Sequence, residues 1–94
     1  MPLADVERFV ARRFPLVDRA QALALLRAPV TEDGSLASPR LVRCAAVASQ
    51  GSLQRLAQLV ELLKVDWRDV ILAGEYSAED IQIRDLNQPV GDDA

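Results

Sequence analysis

Apolar residues near the start of the chain fall at Leu3, Val6, Phe9, Val10 and Phe14, mostly three or four positions apart. That spacing places side chains on one face of a helix, and Arg8, Arg12 and Arg13 lie off the stripe. Pro15 ends the element, because the residue before a proline is pushed out of helical geometry. A second helix, capped by Asp18, is expected to run to about Ala28, with Ala20, Leu23 and Leu26 apolar and Pro29 closing it. The segment from Val30 to Ala37, with Asp33-Gly34-Ser35 at its centre, reads as a loop.

Ser38-Pro39 is a clear restart, a capping serine followed by proline at the first helical position. The third helix, Pro39 to about Ser49, contains Cys44-Ala45-Ala46-Val47-Ala48. A run this small and apolar on all sides predicts a buried central helix that its neighbours approach closely. Gly51 suits the left-handed residue that ends a helix, and Ser52 the cap of the next. The fourth helix is expected from Leu53 to about Val65, with Leu53, Leu56, Ala57, Val60 and Leu63 on one face and Leu59 and Leu62 widening it. Asp66 caps a short fifth helix through about Gly74, in which Trp67, Val70, Ile71 and Gly74 share a side. Beyond Tyr76, Ser77-Ala78-Glu79-Asp80 reads as another cap. Ile81-Gln82-Ile83 alternates like a strand, but one short strand lacks a partner, so a final helical turn is expected there. From Asn87 the chain reads as a loose tail.

These elements predict an all-α fold: a compact bundle of four to five short helices, arranged as two helical hairpins plus a C-terminal helix. One domain is expected over residues 1–88, with a flexible tail at 89–94. Composition then says what the core is made of. Phe9, Phe14, Trp67 and Tyr76 are the only aromatics among 94 residues, so Leu, Val and Ala must fill the interior. A chain of this length buries about 60–65% of its unfolded surface, which leaves little stability to spare.

Charge divides the chain unevenly. Residues 1–60 carry eight arginines against five carboxylates, a net of +3, whereas residues 61–94 carry nine carboxylates against Lys64, Arg68 and Arg84, a net of −6. No basic stretch followed by an apolar run opens the sequence, and no apolar stretch approaches the roughly 20 residues needed to span a bilayer. The single cysteine, Cys44, excludes an internal disulfide and fits a reducing compartment. A cytoplasmic protein without membrane contact is the expectation.

Candidate chemistry narrows quickly. The sequence has no histidine, which removes the commonest general acid–base and metal ligand, and with it Ser/His/Asp and Cys/His arrangements. One cysteine cannot build the usual structural zinc sites, and the four glycines are scattered rather than gathered into a phosphate loop. Asp66, Asp69 and Glu75 are near in sequence and a carboxylate pair could act as acid and base, but a capping aspartate and first-turn acids that favour the helix dipole are the preferred reading. Cys44, in an apolar helical stretch, reads as a buried structural thiol. No enzyme, no cofactor and no metal is expected.

Three resemblances bear on function. The third helix, Gln50-Gly51-Ser52 and the fourth helix resemble a helix-turn-helix, with Gln54, Arg55 and Gln58 as the polar readers; an acidic domain, however, lacks the charge that neutralises phosphates. Cys44 to Leu53, continuing to Leu62-Leu63, looks like the paired helices of one ankyrin repeat, although no second copy is present at the required period. Asp66-Trp67-Arg68-Asp69-Val70-Ile71-Leu72-Ala73-Gly74-Glu75-Tyr76, with Arg43-Cys44-Ala45 and Gly51-Ser52-Leu53-Gln54-Arg55-Leu56, resembles a group of small, uncharacterised bacterial proteins. That resemblance covers about a third of the chain and implies a compact helical protein, with no activity attached to it.

The surface of greatest interest is therefore the fifth helix together with the segment C-terminal to it. Val70, Ile71 and Gly74 are expected to face inward, leaving Asp66, Asp69 and Glu75 at the surface. Trp67 and Tyr76, two amphipathic aromatics ringed by Asp66, Asp69, Glu75, Glu79 and Asp80, have the composition of a protein-binding hot spot; the alternative is that Trp67 anchors the fifth helix to the core and Tyr76 packs over its end. The expected function is non-catalytic protein binding through this acidic surface, as in an immunity protein, an antitoxin-like inhibitor or an adaptor. A homodimer using the same patch fits as well, and a helix-turn-helix DNA-binding regulator is the alternative.

Overall fold

Five α-helices and one 3₁₀ turn account for the regular structure of residues 3–91, the portion described by a computed structural model. The fold is all-α: α1 is Ala4–Arg13, α2 Arg19–Arg27, α3 Pro39–Ala48, α4 Leu53–Leu63 and α5 Trp67–Glu75, and the 3₁₀ turn is Leu16–Asp18. The molecule measures 32 × 30 × 22 Å.

Helix α1 buries Val6, Phe9 and Val10, the stripe expected from the sequence. It stops because Phe14, next to Pro15, turns extended (φ −95°, ψ 142°), and its ring completes the stripe in the core. Asp18 does not cap α2 with its side chain. It occupies the end of the 3₁₀ turn with helical torsions (φ −100°, ψ −9°), whereas a capping residue needs extended ones to aim its carboxylate at the free N–H groups. The connection from Pro29 to Ser38 is a tight local turn. A single antiparallel bridge joins Val30 to Leu36, and Asp33 Oδ1 accepts from Thr31 Oγ1 (2.7 Å) and Ser35 N (3.0 Å).

Helix α3 is the centre of the fold. Seven of its ten residues are buried, and it packs most extensively on α5 while also touching α1 and α4. Its small side chains make this possible, since a Cβ at Gly74 would come within 2.7–2.9 Å of the Cys44 backbone and Cβ. The two helices therefore cross almost backbone to backbone. Ser38 and Ser52 cap α3 and α4 by accepting from Leu41 N (3.3 Å) and Arg55 N (3.1 Å), and Asp66 caps α5 through Arg68 N (3.1 Å). After the C-cap Ser49, Gln50 (φ +53°) is the first left-handed residue, one position earlier than expected, and Gly51 (φ +82°) continues in the same region beside the Arg13 carbonyl. Helix α4 buries Leu56, Leu59, Val60 and Leu63 against α2, α3 and α5. Helices α1 and α2 also pack together, so both expected hairpin pairs are in contact.

The segment after α5 departs from expectation. No helical turn forms at Ser77–Asp80: Asp80 adopts φ +61°, which breaks helical geometry, and Ser77 N donates to Ile81 O (2.8 Å). The alternating Ile81-Gln82-Ile83 finds its partner locally, in one antiparallel bridge between Gln82 and Tyr76. Nor is the chain loose from Asn87. Leu86 and Val90 are buried, and Val90 N donates to Asp5 Oδ2 (3.0 Å), which docks this segment against α1; residues 92–94 of the expected tail lie outside the described residues.

Candidate functional site

Helix α5 turns two kinds of surface outward and inward. Val70, Gly74 and Glu75 are buried, Trp67 and Ile71 are half-buried beside them, and Arg68, Asp69, Leu72 and Ala73 face solvent. Of the residues expected to form a protein-binding surface, Asp69, Glu79 and Asp80 are exposed, whereas Asp66, Trp67 and Tyr76 are partly covered. Trp67 borders an open, mainly apolar groove of about 320 Å³ with Leu36, Leu41 and Ile71, and the Arg68 guanidinium stands 5.4 Å from its ring centre.

Glu75 overturns the surface expectation. Its side chain is completely buried, and the carboxylate is the hub of a closed network. Arg40 grips it with two parallel bonds, Nε to Oε2 at 2.8 Å and Nη2 to Oε1 at 2.7 Å. Gln82 Nε2 donates to Oε1 (3.1 Å), Leu86 N to Oε2 (3.1 Å), and the Cys44 thiol to Oε2 (3.7 Å). The reason is positional: Glu75 is the last residue of α5, on the side facing α3, where a bidentate arginine offsets the cost of desolvating a carboxylate. The Arg40 bonds hold the Glu75 carboxyl below its ordinary pKa against the opposing effect of burial, with the Leu86 N–H assisting. The same pairing pushes the Arg40 pKa upward.

A second buried carboxylate, Asp5, plays the same part at the other end of the strap formed by residues 76–91. Arg43 Nε donates to Oδ2 at 2.9 Å, Nη2 to Oδ1 at 3.4 Å, and Val90 N to Oδ2 at 3.0 Å, while Arg43 Nη1 reaches Leu86 O at 3.4 Å. Burial opposes ionisation of Asp5, but the Arg43 and Val90 hydrogen bonds outweigh it and hold its pKa low. Arg84 Nη1 to Gly74 O (2.8 Å) and Arg12 Nη2 to Gly91 O (3.1 Å) complete the fastening.

Chemically, these groups are occupied with one another. Cys44 is buried, and burial first, then the Glu75 charge, pushes its thiol up to about 12, far from the thiolate that reacts as a nucleophile. Among the described residues, no group of three or more His, Cys, Asp or Glu is placed to hold a metal ion, and no helix is long and apolar enough to cross a membrane.

Sequence reasoning missed Asp5, Arg40 and Arg43, whose partners lie 35 to 85 residues away. It also missed the exposed apolar residues Leu72, Ile81 and Ile83. For the isoleucines a signal existed in the alternation around Gln82. With the Gln82 side chain turned in to Glu75, the pleat sends its two neighbours the other way. No protein-family model, no curated protein and no solved structure matches this chain.

Proposed function

We propose that this protein is a non-catalytic protein-binding module that docks a partner on the outer face of α5 and the turn after it. The observation that carries the reading is the exposure of Leu72, Ile81 and Ile83 next to the exposed carboxylates of Asp69, Glu79 and Asp80. Single exposed apolar residues are ordinary, but these three fall within twelve positions, and the Tyr76–Gln82 bridge with the Ile83 N to Glu75 O bond folds Ile81 and Ile83 back toward the end of α5 that carries Leu72. Tyr76 lies between them and is half-covered, the situation of an aromatic that gains from desolvation by a partner. Asp66 and Trp67 sit at the far end of α5, and Glu75 supports the surface from within. The reading covers both an inhibitor and an adaptor.

The helix-turn-helix alternative has weaker support. The outward face of α4 offers Gln54, Arg55, Gln58 and Glu61, one cation offset by one anion, which is little to set against a phosphate backbone.

Affinity capture with the wild type and with a Leu72→Ser, Ile81→Ser, Ile83→Ser variant tests the proposal, with circular dichroism showing that the helices persist. Loss of the captured partner from the variant is expected. A partner held equally by both proteins would exclude this surface.

A further inference from the structure

Arg40 is only partly used by the pair it makes. A guanidinium carries five N–H donors in a planar fork, and Glu75 takes one from Nε and one from Nη2. Those two lie on the side of the plane turned toward a carboxylate with no exposure at all. The end of the fork, both hydrogens of Nη1 and the second of Nη2, has no acceptor among the described residues. Arg40 is 32% exposed in its side chain and borders the groove of about 320 Å³ beside Trp67.

Leu36, Leu41, Trp67 and Ile71 make the apolar walls of that groove, and Leu36 stands 71% exposed at its rim. The first turns of α3 and α5 both border it, Ser38, Arg40 and Leu41 from one and Trp67 from the other, so the positive ends of two helix dipoles are close by. Ser38 Oγ accepts from Leu41 N and keeps its own hydrogen to donate. Among the described residues, none of those lining the groove is acidic. The nearest carboxylates along the chain are engaged elsewhere, Asp33 with Thr31 and Ser35, and Asp66 with Arg68 N.

We propose that this groove binds a small carboxylic acid with an apolar body, its carboxylate taken by the end of the Arg40 fork and its body laid along Trp67, Leu41, Ile71 and Leu36. Two parallel bonds from one guanidinium are the strong way to hold a carboxylate, and Glu75 fixes this guanidinium in place beforehand. Apolar walls with a few placed donors are the usual make-up of a small-molecule site, and the volume lies at the lower end of the usual range of about 300–1,000 Å³. Glu75 already balances the charge of Arg40, which suits a singly charged carboxylate better than a phosphate dianion. The site lies on the Trp67–Ile71 side of α5 and does not depend on the docking face at Leu72, Ile81 and Ile83.

Trp67 is the only tryptophan of the chain, so its fluorescence reports on this groove alone. Titrating 3-phenylpropionate to about 10 mM should give a saturable change, and 3-phenylpropanol, the same body without the charge, should bind at least about tenfold more weakly. Leu36→Asp, at an exposed position that the fold does not need, should weaken binding of the acid at least about tenfold by charge repulsion. Arg40→Lys keeps a cation beside Glu75 but loses the fork, and should bind acid and alcohol alike. Where circular dichroism shows that Arg40→Lys unfolds the helices, Leu36→Asp decides alone. The assignment is overturned by an acid that gives no saturable change, by an alcohol that binds as well as the acid, or by a Leu36→Asp protein that binds the acid like the wild type. An acetylated dipeptide ending in phenylalanine that binds at least about tenfold more tightly than the acid overturns it too, and makes the groove a site for a peptide C-terminus.

Discussion

Replacing Glu75 by alanine should destabilise the protein more than any surface substitution. The change strands Arg40, Gln82 Nε2 and Leu86 N–H at once, because all three donate to the same carboxylate. Removing one partner of a buried ion pair costs about 3–5 kcal/mol. Arg40 retains 32% side-chain exposure and can rehydrate, so the lower end applies, about 3 kcal/mol. For a domain of this size that loss lowers Tm by about 12–24 °C. Glu75→Gln preserves shape but not chemistry. Each carboxylate oxygen accepts at least two donors, so whichever becomes the amide NH₂ faces donors on every side; the cost is about 2–3 kcal/mol. Urea unfolding followed by circular dichroism gives both values. Glu61→Ala is the control, since its pair with Lys64 at 3.3 Å is exposed and contributes less than about 0.5 kcal/mol. Equal midpoints for Glu75→Ala and Glu61→Ala would refute the reasoning.

The same pair predicts a pH dependence. Glu75 and Asp5 both have folded pKa values below their ordinary ones. Their contribution is therefore fully present above the unfolded carboxylate pKa of about 4, and is lost as pH falls through the folded values. Wild-type stability should fall steeply below that point. The gap between wild type and Glu75→Gln, which has no carboxyl to protonate, should narrow over the same range; a gap constant with pH would contradict the assignment.

Gly74→Ala should cost about 1–3 kcal/mol, because the new Cβ forces α3 and α5 apart at Cys44, and thermal unfolding measures it. Ser52→Ala should remove the α4 cap at a cost of about 1 kcal/mol, read by the same melts. Cys44, with its thiol pushed up to about 12 and no exposure, should react with an aromatic disulfide reagent far more slowly in the native protein than in urea; equal rates would show that the thiol is accessible.

Local signals were legible in the sequence because their causes are local. Caps at Ser38, Ser52 and Asp66, the proline stop at Pro15, the left-handed Gly51 and the close-packed Cys44–Ala48 run each arise from residues within a few positions. Glu75 could not be placed in this way. Its position one residue past Gly74 looks like an exposed helix end, and only the arrival of Arg40 from α3 and of Leu86 from the strap makes its burial tolerable. Asp18 misled for a different reason: its type suits a cap, but the 3₁₀ turn leading into α2 fixes its torsions in the helical region. The fate of Ser77–Asp80 likewise depended on a left-handed Asp80 and a one-residue bridge, neither of which hydrophobic spacing encodes.

The two buried carboxylates also explain how a segment without regular structure presents a defined surface. Residues 76–91 make one β-bridge and no helix, so their own hydrogen bonds would leave them in many conformations. Glu75 fixes the start through Gln82 and Leu86, Asp5 fixes the end through Val90, and Leu86 and Val90 add apolar anchors between and beside them. With Gln82 held inward, Ile81 and Ile83 are held outward, and the ordering cost that a partner would otherwise meet on binding is already met by the fold. A buried ion pair often adds little net stability over an apolar replacement, and the expected role of the Glu75 and Asp5 networks here is to define the conformation of the strap. Glu75→Gln should therefore weaken association at the Ile81–Ile83 face even at temperatures where the helices remain folded. Measuring partner capture and helix content on the same samples separates the two effects: weaker association at unchanged helix content is the expected result, and unchanged association would mean that the strap holds its shape without Glu75.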